Sequence, residues 1–252
     1  MYYYIFDIKR CRKRTQVDAI KSYLTNLGIS GEYSYITPNQ SAEALAESGI
    51  NKGYNTIIAV GSDDLVNAIS NIMVGRKEVL GILPLAASEE LKALVGSRDW
   101  QEAAEALRFR RIKEFNVGRI ANGRHFLTSV YLDTPSPLEV TVEFKNYLMQ
   151  VNTRNLLISN YHPDIDKRFP DHLDVVIETT SSKPIGFLER LGIGGNQKNE
   201  QGDNISFIRA RSLRVFTKKP TPLVSGDKII AKTPQYIEST DELIRVIVAK
   251  NS

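Results

Sequence analysis

The sequence has a single cysteine, Cys11, so no disulfide can close within it, and a reducing compartment is the natural setting. Its three histidines, His125, His162 and His172, stand at no metal-ligand spacing, which excludes the usual zinc patterns. No Gly-x-Ser-x-Gly elbow or other nucleophile signature occurs. No stretch reaches the ~18 apolar residues of a membrane span. The apolar run Tyr2–Phe6 is short, and its positive charges follow it, the reverse of a secretory signal. The expected location is the cytoplasm, with any membrane contact peripheral, at the inner face. Internal repeats and low-complexity tracts are absent as well.

A formal charge of +4 and a pI near 9.0 are too slight an excess to indicate nucleic acid. They suit a nucleotide phosphate or an anionic membrane surface. A chain of 252 residues can bury a core without staples, as one large domain or two modest ones.

The first half alternates strand and helix. Tyr2–Phe6, Tyr33–Ile36, Thr56–Val60 and Val79–Pro84 are strand-like. Between them, Val17, Ile20, Tyr23, Leu24 and Leu27 recur at helical spacing, with Gly28 as the stop. Ser41 can cap a helix carrying Ala42, Leu45 and Ala46. Helices are also expected from Asp63, over Glu89–Val95 and over Trp100–Leu107. This rhythm predicts a doubly wound parallel sheet, which binds ligands at the carboxyl ends of its strands.

After Arg108 the pattern changes to short alternating segments, among them Phe115–Ile120, His125–Leu127, Leu138–Phe144, Leu156–Ile158 and Leu173–Glu178. Asn122-Gly123 is a hairpin turn between two of them. Ile205–Arg211, Leu213–Phe216, Lys228–Ile230 and Leu243–Val248 follow, with one helix expected over Ile185–Leu191. The expected architecture is α/β plus β. Residues 1–110 form a nucleotide-binding-like parallel domain and residues 111–252 a separate, mostly antiparallel β-rich domain. An active-site cleft lies between them, and the extreme C-terminus packs back on the first domain.

Several segments fit one family in order. Ile57-Ile58-Ala59-Val60-Gly61-Ser62-Asp63-Asp64-Leu65-Val66-Asn67 resembles the strand that runs into Gly-Gly-Asp-Gly-Thr and then Asn-Glu in the diacylglycerol kinase catalytic family, which includes sphingosine kinases and bacterial lipid kinases. Leu80-Gly81-Ile82-Leu83-Pro84-Leu85 is similar to the family's next strand, which ends in Pro-Leu-Gly-Thr-x-Asn-Asp. Val117–Leu127, Ile158-Ser159-Asn160, Pro170–Val175 and Pro222–Asp227 resemble later family segments in the same order.

The resemblance implies ATP-dependent phosphorylation of a lipid hydroxyl with magnesium, and hence nucleotide and lipid partners. It places Gly61, Ser62, Asp63, Asn67 and Ala87 at the nucleotide, Asp63 and Asp227 at the metal, and Asp227 as the remaining catalytic carboxylate. It also shows erosion. Asp64 and Leu65 replace Gly and Thr, and Ala86, Ala87, Glu89 and Glu90 replace Gly, Thr, Asn and Asp. Ser225 replaces the family's base, and Asp7–Cys11 replaces the Asn-Pro-x-Ser-Gly after the first strand.

Other readings of the same residues stay open. Asp63 and Asp64 can serve as helix caps that complement the dipole. Asn67 can be a hydrogen bonder within the helix, and Asp227 an ordinary turn residue. Lys9, Arg10, Arg12, Lys13 and Arg14 form either a solvated loop or an attractor of phosphate and anionic lipid. Cys11, among arginines, is either an activated or an ordinary thiol. Gly192-Ile193-Gly194-Gly195-Asn196 follows a helix rather than preceding one, so it reads as a connection and not a phosphate loop. Three functions follow: a lipid kinase, a non-catalytic module that binds a lipid, nucleotide or protein, or a divergent enzyme using another phosphate compound, as the more distant NAD kinases do.

Overall fold

Five apolar and aromatic residues open the chain as strand β1 (Tyr2–Phe6), buried along most of its length. The structure, a computed structural model, describes residues 1–11, 14–161, 172–179, 197–198 and 204–250. Arg12, Lys13, His162, Asp171, the helix expected at Ile185–Leu191 and the glycine stretch Gly192–Asn196 lie outside the described residues.

In chain order, β1 is followed by helix α1 (Arg14–Asn26), β2 (Glu32–Tyr35), α2 (Ala42–Asn51), β3 (Thr56–Gly61), α3 (Asp63–Met73), β4 (Val79–Pro84), α4 (Glu89–Val95) and α5 (Trp100–Phe109). Strands β5 (Ile112–Ile120), β6 (His125–Phe126), β7 (Ser129–Phe144), β8 (Leu148–Ser159) and β9 (Leu173–Thr179) follow. The chain continues through β10 (Gln197–Lys198), β11 (Asn204–Ala210), β12 (Ser212–Thr217), β13 (Pro222–Ser225), β14 (Lys228–Lys232) and β15 (Gln235–Ile247).

Packing divides the chain into two units, Met1–Val117 with Glu242–Ser252, and Gly118–Asp241. In the first unit β2, β1, β3 and β4 pair in parallel, in that order. Helices cover both faces, and two glycines show how closely. A Cβ at Gly49 of α2 would lie 2.6 Å from the Tyr3 ring, and one at Gly81 of β4 would lie 2.7 Å from Leu107 of α5. The parallel α/β layer read from the sequence is therefore present. Tyr4, Phe6, Ile58, Val60, Leu83, Ala104 and Leu107 build one face of its core.

The second unit is antiparallel, with β7 at its centre between β8 and β12. Along β8 buried and exposed residues alternate, as a sheet with one covered face requires. Val142, Leu156, Val175, Ile177, Val215 and Ile237 share its core. Strands β7 and β8 run far beyond the short segments expected. Pro135 and Pro137 hide the continuation of β7 in the sequence. They fall where the pairing with β8 shifts register, between Asp133 and Leu138, a break that dispenses with the N–H groups proline lacks.

Strand β15 runs through both units. Gln235–Glu238 pairs with β12, and Val246 pairs with Leu80 of β4. One strand thus supplies a pairing within each unit.

Candidate functional site

Two loops meet at the carboxyl ends of β3 and β4. Gly61 and Pro84 are register partners at the ends of these adjacent strands, and the Leu85 N–H donates to the Gly61 carbonyl at 2.9 Å. Gly61 has to be small: an added Cβ would come within 2.8 Å of Leu65 and 3.2 Å of Asp7. The β1 loop thus shares the site, because β1 is the other neighbour of β3. The sequence-derived residues Gly61, Ser62, Asp63, Asn67 and Ala87 all belong to these two loops and the start of α3.

Ser62 is the N-cap of α3 by backbone conformation, but its side chain makes no cap bond. Its buried Oγ has no hydrogen-bond partner among the described residues. Asp63 and Asp64 stand in the first turn rather than at the cap, where their charge still complements the helix dipole. Both are buried, at 7% and 9% exposure, so each needs internal partners. The Ser88 N–H and Oγ donate to the two carboxylate oxygens of Asp63, at 2.8 and 2.6 Å. Arg10 Nη2 donates to Asp64 Oδ2 at 3.1 Å. Asn67 is buried one turn on, and its carbonyl accepts from Asn71 Nδ2 at 2.7 Å.

The Ser88–Asp63 contact ties the two loops together. Ser88 is also the N-cap of α4, its Oγ accepting from the Leu91 N–H at 3.1 Å. One hydroxyl therefore donates to Asp63 and accepts from α4. Ala86, two residues earlier, holds φ 50, a left-handed conformation that glycine adopts freely and alanine rarely. This is the position where the resembled motif has glycine. Ala87 beside it is half-buried and offers no hydroxyl. Glu89 is exposed and pairs with Lys92 at 2.6 Å.

Asp7–Cys11 is not an irregular loop. Ile8–Arg10 is a 3-10 turn capped by Asp7, whose Oδ1 accepts from the Lys9 N–H at 3.1 Å. Arg10 also lies 3.9 Å from Asp7 Oδ2, so it turns inward to carboxylates while Lys9 stays exposed. Burial, and then the charge of Asp7, push the Cys11 thiol above its usual range. That is the opposite of activation by neighbouring arginines.

Asp227 lies in the other unit. It occupies the two-residue turn Gly226-Asp227 between β13 and β14, with Gly226 at φ 58, and it is exposed. Ser225 is 2% exposed, and its Oγ donates to the Ser129 carbonyl at 2.9 Å. Among the described residues no group of three or more His, Cys, Asp or Glu side chains is arranged to hold a metal ion.

The partners Arg10 and Ser88 escaped the sequence reading, although each left a signal. Arg10 follows the strand that neighbours β3 in a parallel sheet, so its loop must lie beside Asp64. Ser88 precedes Glu89-Glu90-Leu91, a usual helix start.

Residues 9–120 match the diacylglycerol kinase catalytic domain family. A solved diacylglycerol kinase structure from Bacillus anthracis str. Sterne superposes with TM-score 0.72 at 16% identity, covering 99% of this chain and 97% of that one. Two further structures from that organism superpose with TM-scores of 0.72, at 16% and 15% identity, covering 99% and 98% of this chain and 96% and 97% of theirs. Among curated proteins none matches the sequence.

Proposed function

We propose that this protein, whose residues 9–120 match the diacylglycerol kinase catalytic-domain family and whose chain shares the fold of a bacterial diacylglycerol kinase, uses that fold for binding and does not transfer phosphate. The observation that carries the reading is the internal closure of the β3–α3 loop by Ser88–Asp63 and Arg10–Asp64. A helix N-terminus attracts phosphate through its free N–H groups and dipole. Here the first turn of α3 already carries two carboxylates, and α4 begins with Glu89 and Glu90. Each carboxylate within ~4 Å of a phosphate would oppose it by about 1–4 kcal/mol. Arg10, a cation at the loop, is engaged with Asp64 and Asp7.

The residues present do not suit a magnesium nucleotide. The acceptor side gives the same reading. Ser225 cannot take a proton at neutral pH, and it is buried against Ser129. Asp227, exposed in a tight turn, fits the composition of turns as well as it fits catalysis.

The protein is placed in the cytoplasm, with peripheral contact to anionic membrane as part of the same proposal. No helix among the described residues is long and apolar enough to cross a membrane.

A second reading, a slow lipid kinase, is favoured by one observation: Ala86 holds a glycine-like φ of 50, so the loop retains its shape. In that reading Gly61, Ser62, Asp63, Asn67 and Ala87 line ATP, Asp63 and Asp227 hold magnesium, and Asp227 is the base. Incubation with radiolabelled ATP, magnesium and diacylglycerol in mixed micelles separates the two. The proposal expects no transfer above background. Magnesium-dependent transfer above background, even far below the roughly 1–100 per second of ordinary kinases, would overturn it.

A further inference from the structure

An open groove of about 430 Å³ lies at the C-terminal end of α5, away from the loops just described and lined by Ala106, Phe109, Val248, Ala249, Arg111 and Lys250. That volume is in the range of small-molecule sites, about 300–1,000 Å³. Its floor is apolar and closed, with Ala106 and Val248 both buried. Phe109 stands over it at 71% exposure, and Ile112 beside it is also exposed. A bare phenylalanine next to an apolar trough is unfavourable in water unless something covers both. The chain turns here through Arg110, a non-glycine residue at φ 49 whose N–H closes α5 on the Ala106 carbonyl.

The charges at the rim are unequal in what they already hold. Glu102 and Glu105 also line the groove, but their carboxylates are engaged, by Arg98 at 2.8 Å and by the Tyr23 hydroxyl at 3.1 Å. The side chains of Arg108, Arg110, Arg111 and Lys250 make no hydrogen bond or ion pair among the described residues. The helix dipole accounts for Arg108 in the last turn of α5. It does not account for Arg111 or Lys250, which lie outside the helix. An apolar trough rimmed by uncommitted cations is complementary to an alkyl chain that ends in an anion.

We propose that this groove binds a single-chain anionic amphiphile, with its alkyl chain along Ala106, Phe109, Val248 and Ala249 and its carboxylate or phosphate at Arg111 and Lys250. The site is independent of phosphoryl transfer: an active kinase would leave it standing. The test is calorimetric titration of the full chain with dodecanoate below its micelle concentration. Acetate, dodecanol and anionic vesicles serve as separate arms. Saturable one-to-one binding of dodecanoate is expected, with acetate silent and dodecanol weaker. The double variant Arg111→Gln/Lys250→Gln and the variant Phe109→Ala should each weaken binding by about five- to tenfold. Lys228→Gln/Lys232→Gln in the second unit should change nothing. All these side chains are exposed, so melting temperatures should hold. Should a variant unfold, methyl NMR of the unmodified chain decides instead, because dodecanoate must shift Ala106, Val248 and Ala249. No binding, unchanged affinity in both groove variants, equal affinity for acetate, or binding to vesicles without binding to monomeric dodecanoate would each overturn the proposal.

Discussion

The loop after β3 and the loop after β4 have diverged from the family pattern in opposite ways. The first keeps residue types, Gly61, Asp63 and Asn67, yet its carboxylates are bound from within, by Ser88 and Arg10. The second has lost its residue types, with Ala86 and Ala87 in place of Gly and Thr, yet Ala86 still holds φ 50. Matching letters in one loop are thus engaged by internal partners, and a mismatched letter in the other holds a glycine-like conformation. Backbone conformation is fixed by the neighbouring strands and by Gly61–Leu85 pairing. That pairing does not fix the side-chain chemistry.

The contrast breaks most severely at Asp63. The Asp63→Ala variant leaves the Ser88 N–H and Oγ without this acceptor in a partly buried place, and should lose about 2–3 kcal/mol in urea unfolding. A loss below about 0.5 kcal/mol would mean that the two loops are not held by this contact.

Arg10→Gln removes a cationic partner from Asp64. The pair is partly exposed on the Arg10 side, at 28%, so solvent screens it. The expected loss is about 1–2 kcal/mol, between surface and buried pairs, and it should shrink when Asp64→Asn is added. An undiminished loss in that double variant would show that Arg10 acts through something else.

Ala86→Gly sharpens the second half of the comparison. A left-handed alanine costs about 1–2 kcal/mol, and glycine costs about 0.5–1 kcal/mol more chain entropy. The net result is a stabilisation of up to about 1 kcal/mol, read as a raised melting temperature. A destabilised variant would mean that the loop is not strained.

The smallest effect concerns Cys11. Its thiol is pushed above the ordinary range of a cysteine, by burial first and Asp7 second. A folded-state pKa above the unfolded one stabilises the fold below about pH 9 and loses that contribution as pH rises through the folded value. Alkylation of the native protein at pH 8 should therefore be slower than that of the urea-unfolded chain. Equal rates would show that Cys11 is as open as a free thiol.

Much of the first unit was legible in the sequence because its signals are local. Continuous apolar runs gave β1, β3 and β4, and Ser41 and Gly28 marked helix ends where the structure has them. The second unit was legible in kind but not in extent, since Pro135 and Pro137 interrupt β7 in sequence and not in space. The site was half legible. Family spacing gathered Gly61, Asp63, Asn67 and Ala87, but the partners that decide what Asp63 and Asp64 can do come from elsewhere in the chain. Arg10 is 54 residues from Asp64, and only the parallel pairing of β1 with β3 brings them together. Phe109 and Lys250 carried no motif at all, and their groove exists only once the chain end packs beside α5.

The most direct measurement of the central claim is calorimetric titration of a non-hydrolysable ATP analogue, with and without magnesium. It should be run on the unmodified chain and on Ala86→Gly/Ala87→Thr/Glu89→Asn/Glu90→Asp. Internal closure of the β3–α3 loop predicts no binding at millimolar analogue in the unmodified chain, and none after the four substitutions either, because they leave Ser88–Asp63 and Arg10–Asp64 in place. Micromolar, magnesium-dependent binding by the unmodified chain would contradict it.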